Sequence, residues 1–198
     1  MAKSLKKQKA LKKPLRDAEG TRIRILEAAT LRFCKYGYEQ VGVREIAADA
    51  SIDAALINRY FGTKEELFAE ISKGVFNAEN FIEAAPDKLG ESLARRLMCG
   101  SGKEKAGVNP FELLLRSAVS PTASPIIANR LHKDFVLPLA ALIGGKHAST
   151  RAALIASYLI GFLTVRVALQ SPAILPAHAE KVVALLGSAI QEAIDDLN

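Results

Sequence analysis

Residue types that build common active sites are scarce in this chain of 198 residues. It has no tryptophan, two cysteines and three histidines. Cys34 and Cys99 match no metal-ligand spacing and cannot supply the bridge framework of a small secreted domain. The histidines, the glycines and the serines fall in no metal, phosphate-loop or nucleophile motif. We therefore expect no enzyme activity, no metal and no cofactor; the isolated histidines are His132, His147 and His178.

Export signals and membrane spans are also poorly represented. The N-terminal stretch MAKSLKKQKALKKPLR is basic but lacks the apolar run of a signal peptide, so we expect a cytoplasmic protein. Residues 152–169 form one apolar run near the length of a membrane span. Its flanks have no aromatic belt and no dense positive charge. A helix apolar all round is also expected between a domain core and a second subunit. We favour that reading; solubility without detergent would exclude the membrane alternative.

Positive charge is concentrated in the first third of the chain. Residues 1–64 hold 14 Lys and Arg against 7 Asp and Glu, whereas residues 65–198 hold 13 against 14. The whole excess of the net charge of +6 therefore lies near the N-terminus. This asymmetry indicates a polyanion-binding module attached to a neutral body. Residues 1–18 are predicted to be a basic, disordered arm, and for residues 3–16 the alternative is a solvated lysine tail with no polyanion partner.

The apolar pattern predicts an all-α protein. No segment alternates with the period of a strand, and helical spacing recurs along the chain, as in Ile25, Ala29 and Phe33. Gly37 is predicted to end the first helix, with Tyr38 packed against Phe33. The predicted cap residues are Gly42 with Glu45, Asp53, and Thr63 with Glu66. We expect the helix that starts at Thr63 to run to about Ala85, and Pro138 to kink or divide a helix over 126–143.

The string INRYFGTKEELF, residues 57–68, joins two helices with almost no loop. Together with the short helix over VREIAADA and the turn at SID, it predicts a helix-turn-helix. Leu56, Ile57 and Phe61 would face the core, and the opposite side of the same helix would face a DNA major groove. Asn and Arg can make bidentate bonds to adenine and guanine edges. Beyond Gly62, the free N–H groups of the next helix would meet a phosphate. The predicted DNA-binding residues are Arg44, Asp53, Ala54, Ala55, Asn58, Arg59, Tyr60, Thr63 and Lys64.

Residues 21–68 resemble the DNA-binding domain of TetR/AcrR-type transcriptional regulators. The pieces that match are ILEAA, GY, IA, the turn at ASI followed by Asp53, RYF and KEELF. The resemblance implies a helix-turn-helix domain over 19–66 and a larger helical ligand-binding and dimerisation domain over 67–198. Three departures matter. Val41 and Gly42 stand where the family usually has Thr or Ser, so we expect one hydroxyl contact to a phosphate at the second helix to be missing. Asn58 stands where the family often has a phosphate-contacting Tyr, and Ser51 stands in the turn where Gly is common.

The second domain offers side chains that could line a ligand cavity. The predicted set is Phe111, Leu115, Arg116, Tyr158, Phe162 and Arg166, which suits a small apolar or anionic ligand. For the apolar members an ordinary core is the alternative. The two arginines lie in apolar helices, where an unpaired charge is costly. Pairing with an acid such as Glu112 or Glu70 therefore competes with contact to an anionic ligand.

A stripe of small residues predicts a dimer interface. Ala153, Ser157 and Gly161 are four residues apart and would let another helix approach closely. The last helix offers Val182, Leu186 and Ile190 at helical spacing. We expect these two helices of each subunit to form a four-helix interface around a two-fold axis. The alternative is that the stripe seats a helix of its own subunit.

These features predict a homodimeric transcriptional regulator that binds a double-stranded DNA operator. We expect a repressor that a small molecule bound in the C-terminal domain releases from DNA. The alternative is a DNA-binding regulator without a small-molecule effector, controlled by a protein partner or by its abundance.

Overall fold

The computed structural model describes the backbone of residues 2–82, 84–99 and 110–195, and their side chains except those of 2–17, 80, 99 and 110. Within these ranges the secondary structure is helical, as the sequence predicts. The ten α-helices are α1 (Ala2–Tyr36), α2 (Val43–Asp49), α3 (Ala54–Phe61), α4 (Lys64–Ile71), α5 (Leu89–Cys99), α6 (Pro110–Ser117), α7 (Ala123–Leu131), α8 (Leu137–Ile143), α9 (Ala148–Leu163) and α10 (Ala179–Asp195).

The described residues form two compact units, and the division differs from the predicted boundary at residue 66. The first unit contains 2–71 and 110–124, and the second contains 72–99 and 125–195. Helix α4 belongs to the first unit because Leu67 and Phe68 are fully buried there. Helix α6 also belongs to it, since the backbone carbonyl of Arg116 lies against Gly37. The first unit is therefore discontinuous in sequence.

Two predicted helix boundaries need correction. Residues 2–18, predicted to be a disordered arm, continue α1 as helix; their many Lys, Ala, Leu and Gln residues have high helix propensity. Helix α4 ends at Ile71 instead of near Ala85. The chain turns at Gly74, whose φ is +69°, and a 3₁₀ turn follows at Ala78–Asn80. The positive φ explains the early end, because a regular helix cannot continue through it.

The predicted effect of Pro138 is confirmed. A π-helical segment at His132–Val136 separates α7 from α8, which carries the proline in its first turn. Because proline lacks an N–H and its ring crowds the preceding turn, the regular hydrogen-bond ladder cannot pass through it. Helix α9 likewise ends in a π-helical segment, Thr164–Ala168.

The core of the first unit is built around three stacked and edge-on rings. Phe33 stacks on Tyr38 with ring centroids 5.7 Å apart, and Phe68 meets Phe33 and Tyr38 edge-on at 5.2 and 5.1 Å. Ile25, Ile46 and Ile57 complete this core with no exposed surface. Helices α1 to α4 are therefore fixed around one apolar centre. The contact of Tyr38 with Phe33 confirms the predicted end of α1.

The second unit has its closest helix packing between α5 and α10. At the crossing, Gly90 lies against the backbone of α10. A Cβ added to Gly90 would come within 2.7 Å of the backbone N of Gln191 and even closer to the carbonyl oxygen of Gly187. The Gln191 side chain accepts from Gly90 N at 2.9 Å and donates to Pro86 O at 2.9 Å. Glycine thus allows the approach, and glutamine satisfies backbone groups at the start of α5.

Candidate DNA-binding site

The turn between α2 and α3 closes with a complete Schellman motif. Ser51 N donates to Ala48 O at 3.1 Å, and Ile52 N donates to Ala47 O at 3.0 Å. Ser51 occupies the left-handed position, with φ of +53°, which glycine adopts more easily. The serine that departs from the family pattern is therefore held in a strained conformation.

Helix α3 presents one side to the core and the other to solvent. Ile57 is fully buried, whereas Ala55, Asn58 and Arg59 are exposed. The half-buried neighbours are Ala54, Leu56, Tyr60 and Phe61. The exposed side carries the amide and guanidinium groups suited to base edges.

Asp53 acts as the N-cap of α3. Its Oδ1 accepts a hydrogen bond from Ala55 N at 2.7 Å, as its position in the sequence predicts. A capping carboxylate also places negative charge on the side that would face phosphates. The geometry therefore supports a role for Asp53 in orienting α3, and its contact with DNA stays a prediction.

Two arginines of α1 hold the surrounding helices. Arg32 donates to both carboxylate oxygens of Asp49 at 2.5 and 2.9 Å and lies 3.5 Å from Glu45, which fixes α2. Arg22 donates to Glu70 of α4 at 2.5 Å, and its guanidinium lies 5.2 Å from the ring centroid of Phe61. Helix α1 thereby sets the positions of α2, α3 and α4. Glu70 is therefore an internal partner of Arg22.

The N-terminus of α4 differs from the expected phosphate site. Thr63 N donates to Glu66 Oε2 at 2.7 Å, and Glu66 N donates to Thr63 Oγ1 at 3.1 Å. This confirms the predicted capping box, and Glu45 caps Gly42 N in the same way at 2.8 Å. Two backbone N–H groups expected to be free for a phosphate are thus already satisfied. The half-buried side chain of Lys64 remains for a phosphate, whereas the hydroxyl of Thr63 also interacts with Glu65. Arg44 is exposed on α2.

The predicted ligand residues do not lie in one unit. Phe111, Leu115 and Arg116 belong to the first unit, and Tyr158, Phe162 and Arg166 to the second. Arg116 is exposed, so the argument from a buried unpaired charge does not apply to it. Phe162 packs against the core cluster of Ala94, Met98 and Val183.

Arg166 donates to backbone carbonyls and not to the internal acids that the sequence suggested. Its guanidinium donates to the backbone carbonyl of Leu97, and also to that of Met98 at 2.6 Å. These carbonyls belong to the last turn of α5, which has no intrahelical donors for them. Arg166 therefore caps α5, a role that sequence spacing could not reveal because the two residues are almost seventy positions apart.

The predicted dimer residues divide by exposure. Ala153, Ser157 and Gly161 are exposed on α9, and a Cβ added to Gly161 would meet nothing within 4 Å. No helix of the same subunit covers this stripe among the described residues. On α10 the prediction needs correction for Ile190, which is fully buried. Val182 and Leu186 are half-buried against their own core, and their place in the interface stays a prediction. The outward side of α10 carries Leu185, which is 61% exposed.

Residues Ala148–Ala168 are long and apolar enough to cross a membrane, with 22% of the apolar window buried inside the chain. One such helix is weak support for a span, since the face that a soluble protein uses for another subunit has the same character. Among the described residues no group of three His, Cys, Asp or Glu side chains could hold a metal ion.

Comparison with known families identifies the class to which this arrangement belongs. The family description "Bacterial regulatory proteins, tetR family" matches residues 25–71, which contain α2, the Ser51 turn, α3 and α4. The description "Tetracyclin repressor-like, C-terminal domain" matches residues 87–194. Since these matches span most of the chain, the protein belongs to the TetR family of bacterial regulatory proteins.

Curated relatives match part of the chain. The HTH-type transcriptional repressor SCO4008 of Streptomyces coelicolor is 43% identical over 75 residues, which cover 37% of this chain and 39% of that repressor. The HTH-type transcriptional repressor Rv3405c of Mycobacterium tuberculosis is 34% identical over 86 residues, or 38% and 46% of the two chains. The chain thus matches less than half the length of these curated relatives. They are transcriptional regulators and not enzymes, as the sequence predicts.

Solved structures share the whole architecture. The TetR-family regulator SCO0857 of Streptomyces coelicolor has a TM-score of 0.58 and 28% identity, covering 90% of this chain and 96% of that one. A regulator described as putative tetR family from Shewanella sp. PV-4 has a TM-score of 0.65, covering 85% and 97%. At 15% identity the latter supports the fold alone. The predicted all-α, two-part fold is confirmed.

Proposed function

We propose that the protein is a transcriptional repressor that binds a double-stranded DNA operator through α2 and α3. The observation that carries the proposal is the exposed side of α3, where Asn58 and Arg59 point away from a core fixed by Ile57. The Asp53 cap and the Arg32–Asp49 pair hold this helix and its partner in place. Asn58 and Arg59 would read base edges, and Lys64 and Thr63 would contact phosphates. Two relatives named as repressors support the sign of regulation.

The experiment compares a base-reading residue with a phosphate-binding residue. Selection from random duplexes first defines the preferred operator, and competition binding then uses single-base variants of it. Asn58→Ala should lose about 1–3 kcal/mol of discrimination at one base pair, which is the usual value of a bidentate base contact. Lys64→Ala should weaken operator and random DNA equally, since a phosphate contact carries no sequence information. A uniform loss for Asn58→Ala would assign Asn58 to the phosphate backbone instead.

The basic residues before Asp17 would add affinity with little sequence choice. Removal of residues 1–16 should weaken binding to every duplex. It should also reduce the salt dependence of binding, because a protein that makes fewer phosphate contacts releases fewer counterions from the DNA. An unchanged salt dependence would mean that this segment does not contact DNA. A loss of preference confined to A·T-rich flanks would indicate contact with a minor groove.

The repressor would act as a homodimer in the cytoplasm. Two α3 helices related by a two-fold axis would enter successive major grooves about 34–36 Å apart. The exposed stripe of Ala153, Ser157 and Gly161 on α9, with Leu185 on the outer side of α10, supports an interface at this face. On α10 this assignment replaces the buried Ile190 with Leu185 and keeps the half-buried Val182 and Leu186 as candidates.

A small apolar or anionic ligand would release the repressor from its operator by binding its two states unequally. Within the second unit Tyr158 and Phe162, both half-buried, stay the candidates for contact with such a ligand. Regulation without a small-molecule effector is the alternative. A thermal-shift screen against lipophilic and anionic metabolites separates the two, because a ligand that binds only the folded state raises its melting temperature.

A further inference from the structure

Tyr38 lies directly under the side chain proposed to bind a phosphate. The ammonium Nζ of Lys64 is 4.1 Å from the centroid of the Tyr38 ring. The ring itself is 2% exposed and is fixed between Phe33 and Phe68. An ammonium within about 6 Å of a ring face is attracted by the negative charge of the π-system. A flexible lysine is therefore held over a rigid platform.

The hydroxyl of the same tyrosine holds the neighbouring acid. It donates to Glu65 Oε1 at 2.9 Å. The pKa of Glu65 is lowered, first by its own backbone N–H and then by the Tyr38 hydroxyl, so the carboxylate is charged at neutral pH. Burial raises the pKa of Tyr38, which keeps the phenol protonated as the donor. The ring thus attracts the cation, and the hydroxyl ties the adjacent anion to the protein.

This arrangement has a consequence for the first turn of α4. The carboxylate of Glu66 already occupies Thr63 N, and Glu65 adds a second negative charge beside Lys64. An untethered Lys64 could pair with either acid, and phosphate binding would then have to break that ion pair. A lysine held over the Tyr38 ring keeps N–H donors for an outside anion, because the ring attracts the positive charge and does not occupy all three N–H groups of the ammonium.

We propose that Tyr38 is a positioning residue that orients Lys64 for contact with the DNA backbone. The proposal rests on the phosphate-binding role assigned to Lys64 above. Tyr38 itself does not touch DNA in this scheme; it acts through the ammonium group that its ring attracts and through the carboxylate that its hydroxyl holds.

The test changes the charge distribution of the ring and leaves its shape nearly constant. Tyr38→Phe removes the hydroxyl and keeps the π-face, whereas pentafluorophenylalanine at position 38 removes the negative ring face as well. Binding of the full-length protein to a random-sequence duplex is measured by fluorescence anisotropy at several KCl concentrations. Each variant is also made with Lys64→Ala, which completes a double-mutant cycle.

We expect the pentafluoro variant to bind about two- to fivefold more weakly than Tyr38→Phe, in keeping with an exposed cation–π contact. The slope of log affinity against log salt should fall by about one, as in Lys64→Ala, because one phosphate contact is lost. In the Lys64→Ala background the two ring variants should bind alike. Replacement of Glu65 by Gln should restore affinity lost in Tyr38→Phe, because the freed carboxylate is then neutral.

Matched controls separate this role from packing. Phe135→Leu removes a buried ring from the second unit, and it should lower the melting temperature while leaving the salt slope unchanged. Equal binding by the two ring variants, together with a loss in Lys64→Ala, would overturn the role of Tyr38 and leave the role of Lys64 intact. A Lys64→Ala variant that binds like wild type would overturn both. Absence of binding to any duplex would refute the proposed function itself.

Discussion

Arg32 of α1 and Asp49 at the end of α2 form a two-pronged ion pair, with Nε–Oδ2 and Nη2–Oδ1 distances of 2.5 and 2.9 Å. The planar guanidinium matches both carboxylate oxygens, which fixes direction as well as distance. Because Asp49 immediately precedes the Ala50–Asp53 turn, this pair holds the point from which α3 starts. The position of the proposed reading helix therefore depends on a contact made on the opposite side of α2.

Acid should weaken this pair. The hydrogen bond from Arg32 lowers the pKa of Asp49 below its usual value, so the folded state favours the carboxylate more than the unfolded state does. The stabilisation is present above the unfolded pKa of about 3.9 and is lost as pH falls through the lower folded value. Asp49→Asn should be less stable than wild type at pH 7 and should lose less stability in acid. Urea unfolding followed by circular dichroism from pH 7 to pH 2.5 tests this.

The control for that experiment is Glu27→Gln, which changes an exposed acid of α1. It should keep the wild-type acid dependence. If Asp49→Asn followed wild type at every pH, the pair would not contribute to stability in solution.

Ser51→Gly should stabilise the protein. Ser51 has a φ of +53°, a conformation that costs a residue with a Cβ about 1–2 kcal/mol and glycine almost nothing. Part of this gain is offset by the greater backbone freedom of unfolded glycine. We expect a net increase of about 1 kcal/mol in the free energy of unfolding. Ala48→Gly, in the regular part of α2, should lower it by about 0.5–1 kcal/mol; a loss in both variants would contradict the strained conformation.

Gly90→Ala should disrupt the packing of α5 on α10. A methyl group there would collide with the backbone of Gly187 and Gln191, and neither backbone can move without separating the helices. Overpacking of this kind costs about 1–3 kcal/mol. Gly20→Ala is the matched change, because a Cβ there meets nothing within 4 Å and alanine favours helix. Thermal denaturation should show a loss for the first variant and a small gain for the second; two equal gains would refute the close crossing.

Arg166→Met should loosen the end of α5. The guanidinium satisfies the carbonyls of Leu97 and Met98, and methionine keeps much of the apolar stem while removing every donor. We expect faster hydrogen exchange in the last turn of α5 and a loss of about 1–2 kcal/mol, since charged hydrogen bonds to partly buried groups have this worth. Arg116→Met, at an exposed position, should leave exchange in α5 unchanged. Protection of α5 equal to wild type would mean that the cap is dispensable.

Gly161→Leu should separate the proposed dimer. A Cβ added at this position meets no other described segment of its own chain within 4 Å, so leucine should leave the subunit folded and obstruct only a helix from a second copy. Sedimentation should show monomers with nearly full helix content and no binding to a two-half-site operator. Ala128→Leu makes a similar change on the exposed side of α7 and should remain dimeric. A folded Gly161→Leu dimer of wild-type affinity would refute the interface.

Local signals accounted for much of the first unit. The Gly42–Glu45 and Thr63–Glu66 boxes, the Asp53 cap and the burial of Ile57 could all be predicted, because each depends on residues within one or two turns of each other. The same reasoning failed at the start of α4. It counted helix N–H groups as free, although the acids that make the capping box satisfy two of them.

Long-range contacts were beyond such reasoning. Periodicity indicates that a helix has an apolar side but does not identify its partner. On α10 it selected Ile190, which its own subunit buries, and missed the outward Leu185. Periodicity also could not predict that α6 belongs to the first unit, or which groups Arg22 and Arg166 contact. These contacts join residues tens of positions apart in the sequence, and no short sequence pattern predicts them.

The sequence by itself determined the helical class, the helix-turn-helix over 43–61 and the concentration of positive charge before residue 65, because propensity, capping and composition act locally. Only the tertiary structure decided which charged groups have internal partners. Arg166 caps α5 because the folded chain brings its side chain to the last turn of that helix. Lys64 lies over Tyr38 because the chain turns at Gly37, directly after α1. The free energy of each charge depends on the groups around it in space, which the order of residues alone does not specify.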